Sequence, residues 1–235
     1  MFNTDNRQHQ PTNINQQPMI IEKIKNIRSL LPENVQLVCV SKFHSEEMIM
    51  QAYNAGVRDF GESRAQELLK KVVNLPKDIR WHFIGALQSN KIRQIAPFIY
   101  LIQSIESEKL LQETNRQAEK NSRKINVLLE VHIADEEQKH GFAEDEVIAF
   151  FEHKKWQNFP HINFCGLMGM ATFTSDNEKI RAEFSKIKEI FDRIKNIFPT
   201  PTFATLSIGM SDDFPLAVKQ GSTMVRVGSR IFGNR

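Results

Sequence analysis

Lys42 ends a run of mostly apolar residues, Leu37-Val38-Cys39-Val40-Ser41. Desolvation at the end of such a run disfavours the ammonium form, and a neutral amine can attack an aldehyde to form a Schiff base. The same position also suits a rim lysine whose stem lies on apolar surface while its head reaches water. Two later turns carry a different chemistry. Ser207-Ile208-Gly209-Met210-Ser211-Asp212-Asp213 and Arg226-Val227-Gly228-Ser229-Arg230 each set glycine beside serine. Glycine lets backbone N–H groups approach an anion closely, and a helix start adds unpaired donors and a favourable dipole. Serine hydroxyls add more donors, although either turn alone is also what a tight chain reversal uses. Arg226, two residues before Gly228, either holds a ring nitrogen or pairs with a carboxylate such as Asp212.

These residues need a scaffold that brings distant turns together. After Pro32, short apolar runs alternate with amphipathic segments: Gln36–Ser41, Val57–Gly61, Trp81–Gly85, Tyr100–Ser104, Asn126–Ile133, Asn163–Met170, Ala204–Ile208 and Met224–Val227. Intervening helices are expected at Ser45–Ala55, Arg64–Val73, Glu106–Glu119, Glu144–Glu152 and Glu178–Ile197, with another opening at Gln88-Ser89-Asn90. Nearly continuous apolar runs suit parallel strands buried on both faces. The alternation predicts an α/β fold, and about eight repeats favour a single-domain (β/α)8 TIM barrel over an open doubly wound sheet. In a barrel the C-terminal ends of all strands converge, and the turns after strands seven and eight frequently bind phosphate. Lys42 then shares one mouth with both Gly/Ser turns, an arrangement that fits a phosphorylated sugar or pyridoxal 5′-phosphate (PLP). His82 and His132 also fall near strand ends, where each reads as a satisfied core histidine.

Helical spacing of Ile20, Ile21, Ile24, Ile27, Leu30 and Leu31 predicts an extra N-terminal helix over Met19–Leu31. Residues 1–18, rich in Asn and Gln and broken by Pro11 and Pro18, read as a disordered tail, leaving 19–235 as the barrel. The chain has 235 residues, 40% hydrophobic and 25% charged, with net charge +3. That small excess implies no nucleic acid and no membrane partner. Lys70-Lys71 and Lys154-Lys155 read as solvated helix faces. Cys39 and Cys165 fit neither a disulfide framework nor a zinc site, and no signal peptide or membrane span is evident, so a cytoplasmic protein is expected.

The chain resembles the pyridoxal phosphate homeostasis protein family, a barrel relative of the alanine racemase N-terminal domain, over roughly Met19 to Gly233. The motifs are Val40-Ser41-Lys42, Phe60-Gly61-Glu62-Ser63-Arg64-Ala65-Gln66-Glu67, Trp81-His82-Phe83-Ile84-Gly85-Ala86-Leu87-Gln88-Ser89-Asn90-Lys91, and Gly166-Leu167-Met168-Gly169-Met170. They continue with Leu206-Ser207-Ile208-Gly209-Met210-Ser211-Asp212-Asp213 and Gly221-Ser222-Thr223-Met224-Val225-Arg226-Val227-Gly228. The resemblance implies that Lys42 carries the Schiff base to PLP. Ser211, Gly228 and Ser229 would bind the phosphate, the turn of Ser207, Gly209 and Met210 would shape its pocket, and Arg226 would face the pyridine nitrogen. Ser63 departs from the Asn common in the family, and a side-chain contact to the cofactor is not expected of it.

A permanently cationic donor at the ring nitrogen makes the cofactor a poor electron sink. In full-length racemases a further domain supplies a second acid–base tyrosine. Here the chain ends just after strand eight, and Tyr53 and Tyr100 are not at predicted strand C-terminal ends. The implied function is non-enzymatic: a protein, expected to be a monomer, that holds PLP and releases it to PLP-dependent apo-enzymes. A PLP-dependent racemase or a Schiff-base aldolase is the alternative.

Overall fold

The computed structural model describes residues 19–135 and 140–233, so the expected tail over 1–18 lies outside the described residues. Eight strands form in chain order: β1 (Gln36–Val40), β2 (Asp59–Glu62), β3 (Arg80–Phe83), β4 (Leu101–Ile105), β5 (Ile125–Glu130), β6 (Ile162–Met168), β7 (Thr205–Ser207) and β8 (Met224–Val227). Each pairs in parallel with the next. β8 returns to β1 with Val38 opposite Arg226, which closes the barrel and excludes the open sheet.

The helices are α1 (Ile20–Ser29), α2 (Glu46–Asn54), α3 (Ala65–Asn74), α4 (Ser89–Ile95), α5 (Glu108–Lys120), α6 (Glu144–Glu152), α7 (Asn177–Ile197), α8 (Phe214–Lys219) and α9 (Ser229–Phe232). The extra α1 buries Ile20, Ile24 and Ile27 and lies against α2 and α9. Side chains fix where several helices start. Ser45 and Ser107 accept from the backbone N–H of Met48 and Leu110, and Asp176 accepts from Glu178 and Lys179. Each satisfies donors that a helix start leaves unpaired.

Strand alternation divides the core. Val38, Leu101, Leu128, Met168 and Met224 pack together inside the barrel. Cys39, Phe60, Leu129 and Val225 face outward and meet helix residues such as Ile49, Leu68, Leu111 and Ile187. Burial pushes the Cys39 thiol up to about 12 and the Cys165 thiol to about 11, so both behave as apolar filler. Among the described residues, no helix is long and apolar enough to cross a membrane.

The boundaries differ from expectation by up to three residues, the largest difference being β5, which ends at Glu130 and not at Ile133. β1 stops at Val40, because Ser41 and Lys42 already belong to a turn whose next residue, Phe43, has φ +67°. Lys70-Lys71 is not a solvated pair, since Lys71 is only 5% exposed and turns inward from α3 to ion-pair with Glu62.

Candidate functional site

A cavity of about 1110 Å³ opens at the C-terminal end of the barrel. Six of the eight expected residues line it: Lys42, Met210, Ser211, Arg226, Gly228 and Ser229. Ser207 and Gly209 do not, and both are buried. The segment after β6, the strand beside β7, also lines it and contributes Met170, Ala171, Phe173 and Ile180 along with Thr172, Thr174, Ser175 and Asn177.

The Gly/Ser wall is built by close backbone approach. At Gly209 φ is +94°, and a Cβ would sit 2.6 Å from the Ala217 Cβ and 2.9 Å from the Phe214 Cα. Only glycine lets α8 pack directly on the turn after β7. At Gly228 a Cβ would stand 3.1 Å from the Val40 carbonyl oxygen, so β8 leaves the sheet as bare backbone. Gly228 N–H donates to Ser211 Oγ at 3.2 Å, which ties the two turns together. Met210 N–H donates to the Asp213 carboxylate at 2.5 Å.

Lys42 sits on a turn clamped on both sides by a buried charge cluster between β1, β2 and α3. Lys71 Nζ donates to the Ser41 carbonyl (2.8 Å), Glu62 Oε1 (2.8 Å) and Glu67 Oε1 (2.6 Å), using all three of its donors. Ser41 Oγ also donates to Glu62 Oε1 (2.6 Å), and Phe43 N–H donates to Glu67 Oε1 (2.6 Å). The carbonyl before Lys42 and the N–H after it are therefore both fixed. Burial raises the Glu62 carboxyl against the opposing charge of Lys71. Its Oε2 is buried with no hydrogen-bond partner among the described residues.

Arg226 is held from inside the barrel. Its Nη1 donates to the Ser207 carbonyl and to Ser207 Oγ, both at 2.7 Å, and its Nη2 donates to the Gly169 carbonyl at 3.1 Å. Burial lowers the guanidinium to about 10 against the nearby charges of Glu130 and Asp213, so it stays cationic at neutral pH. Asp213, not Asp212, is thus the acidic neighbour from that turn. Glu130, at the end of β5, is pushed up to about 7 by burial and by Glu106, against Arg226 and His140.

Behind Arg226 the polar contacts continue. Ser207 Oγ donates to Gln103 Oε1 (2.7 Å), and Gln103 Nε2 meets His82 Nδ1 (3.0 Å). His82 Nε2 meets Asp59 Oδ1 (3.0 Å), and Arg80 closes on Asp59 at 2.7 and 2.5 Å. Burial lowers His82, which fits the satisfied core histidine expected for it. Burial would raise Asp59, but the Arg80 and His82 hydrogen bonds hold it well below the usual carboxylate range.

Other expected residues lie elsewhere. His132 is not part of the cavity wall. Ser63 packs under Gly85, where a Cβ would meet the Ser63 carbonyl oxygen at 2.5 Å, and does not line the cavity. Tyr53 on α2 donates to Asp78, and Tyr100 stands beside His82 and Arg80. Sequence reading missed Glu62, Glu67, Lys71, Gln103 and Glu130. The available signal was a polar residue inside an apolar strand, as with Gln103 in Leu101–Ile105.

The family model for the alanine racemase N-terminal domain matches residues 18–235. The pyridoxal phosphate homeostasis protein of Haemophilus influenzae is 38% identical over 204 residues, 86% of this chain and 85% of that one. The protein of the same name from Schizosaccharomyces pombe is 40% identical over 205 residues, again 86% and 85%. Among solved structures, PipY of Synechococcus elongatus without PLP gives a TM-score of 0.86 at 34% identity, covering 92% of this chain and 100% of that one. The form with PLP bound gives 0.82 at 33% identity, with the same coverage.

Proposed function

The chain belongs to the pyridoxal phosphate homeostasis proteins of the alanine racemase N-terminal domain family, and from that premise we propose that it holds PLP reversibly in the cavity at the barrel mouth. The observation that carries this reading is the donor set on one cavity: an amine, a hydroxyl-and-backbone wall, and a buried, oriented cation. Those groups fit the cofactor. When bound, PLP supplies an aldehyde that condenses reversibly with an amine.

Each residue then has a task. Lys42 provides the amine. Ser211, Ser229 and the bare backbone at Gly228 take the phosphate, against a turn that Ser207, Gly209 and Met210 shape. Arg226 presents a cationic donor to the ring nitrogen and disfavours its protonation. That environment supports holding the cofactor better than driving carbanion chemistry. Neither tyrosine of the described residues lines the cavity opposite Lys42, which favours storage over racemization. We read the protein as a cytoplasmic monomer, one binding unit over 19–235, that releases PLP to apo-enzymes by exchange at the amine.

The test is a visible absorbance spectrum of wild type beside Lys42→Ala, each incubated with PLP and desalted. A retained band in wild type that is lost in the variant is expected. No retained band in either overturns the reading and favours a Schiff-base aldolase acting on a phosphorylated sugar.

A further inference from the structure

The interior of a (β/α)8 barrel is ordinarily filled by branched apolar side chains. Here a line of polar residues crosses it, from Arg80, whose side chain is 44% exposed, to Arg226 at the cavity. The buried members, His82, Gln103, Ser207 and Arg226, are each 4% exposed or less. Burying so many polar groups is costly unless all are paired, and these are.

The hydrogen bonds have one consistent direction. Arg226 can only donate, so Ser207 Oγ accepts from it and turns its own hydrogen to Gln103 Oε1. Gln103 therefore presents its NH2 to His82 Nδ1, which must be unprotonated. The imidazole hydrogen is then on Nε2, facing Asp59. Flipping the Gln103 amide would leave the Ser207 hydroxyl hydrogen without its acceptor. Protonating His82 at Nδ1 would set two donors against each other.

We propose that Asp59, His82, Gln103 and Ser207 are positioning residues for Arg226, forming a chain of fixed polarity that keeps the guanidinium aimed into the cavity and sets the ring-nitrogen environment of the bound cofactor. The inference rests on the PLP reading above. It assigns a ligand-directed role to Asp59, His82 and Gln103, which do not line the cavity.

The charged and titratable groups around the chain are few. His82 faces Asp59, Arg80 and the Tyr100 ring, and Arg226 faces Glu130 and Asp213. Cutting the chain at its centre with Gln103→Leu keeps bulk but removes both links. In PLP-loaded protein this variant is expected to raise the PLP dissociation constant about tenfold, the scale of one lost charge-assisted hydrogen bond. Its visible band should also become pH-dependent between about pH 5 and 9, where wild type is flat, as the ring nitrogen becomes free to titrate.

Gln103→Glu is the finer probe. It keeps the acceptor for Ser207 but offers His82 Nδ1 a carboxylate, so His82 should carry protons on both nitrogens. Imidazole nitrogen NMR of the wild-type protein should show neutral, Nε2-protonated His82 across that range, and doubly protonated His82 in Gln103→Glu. An unchanged dissociation constant and a flat band in folded Gln103→Leu overturn the proposal, as does Nδ1-protonated His82 in wild type. Should Gln103→Leu not fold, Ser207→Ala cuts the next link and is read the same way. If wild type retains no PLP, the function proposed above fails instead, and the NMR result still decides whether the chain has the stated polarity.

Discussion

Lys42 and Arg226 approach the same cavity from adjacent strands, β1 and β8, but they are held by opposite means. On the β1 side a dense charge cluster outside the barrel grips the backbone before and after Lys42. On the β8 side a line of hydrogen bonds inside the barrel grips the guanidinium itself. The difference follows from what each group is proposed to do. An amine that must exchange partners is best placed through its backbone. A cation that must point in one direction is best fixed at its head, where little side-chain entropy is left to lose on binding.

The β1 clamp should be the more fragile, because it depends on one cation. Lys71→Met leaves Glu62 and Glu67 facing each other without a counter-charge. Removing one partner of a buried pair costs about 3–5 kcal/mol. Burial already raises the Glu62 carboxyl, so it can take a proton in acid and relieve the strain. Urea denaturation should therefore show a larger loss at pH 8 than at pH 5. A loss below about 1 kcal/mol at both would mean the cluster is not a clamp, and the contrast between the two sides would fall.

Much of this contrast was hidden in the sequence for a definable reason. The eight strands, the Lys42 turn and the Gly/Ser turns are legible because each is a local pattern: an apolar run, a strand end, glycine beside serine. The supports are not local. Lys71 reaches Ser41 across 30 residues, and Ser207 reaches Gln103 across 104. Only the strand register puts Gln103, His82 and Ser207 on the inner face. Lys71 was misread because a lysine pair on a helix gives no sign that one member turns inward to a carboxylate on a neighbouring strand.

A carboxylate near Arg226 offers a sharper view of the β8 side. The Glu130 carboxyl is raised from 4.5 to about 7, first by burial. The folded protein thus binds more protons than the unfolded chain between those values. Stability falls as pH rises through that window and levels off above it. Glu130→Gln should abolish the fall, gaining about 3 kcal/mol over wild type at pH 8 and nothing near pH 4. Parallel curves for the two proteins in urea denaturation at pH 4, 6 and 8 would mean Glu130 is solvated and exerts little field on Arg226.

The smallest effect separates the fold's use of the Gly/Ser wall from the ligand's. Ser211 Oγ accepts the Gly228 N–H at 3.2 Å, a long bond whose loss in Ser211→Ala should cost about 0.5–1 kcal/mol of stability. If the hydroxyl also donates to a phosphate oxygen, PLP affinity should fall about tenfold, because hydrogen bonds to charged groups are the stronger kind. The two numbers come from independent measurements, denaturation of the free protein and PLP titration by absorbance. A stability loss with unchanged affinity would make Ser211 a strap between turns and leave the phosphate to Ser229 and the backbone. Lost affinity with unchanged stability would place Ser211 on the ligand alone, so that the two turns are joined by the Arg226 N–H to Gly209 carbonyl bond (3.0 Å) rather than by this one.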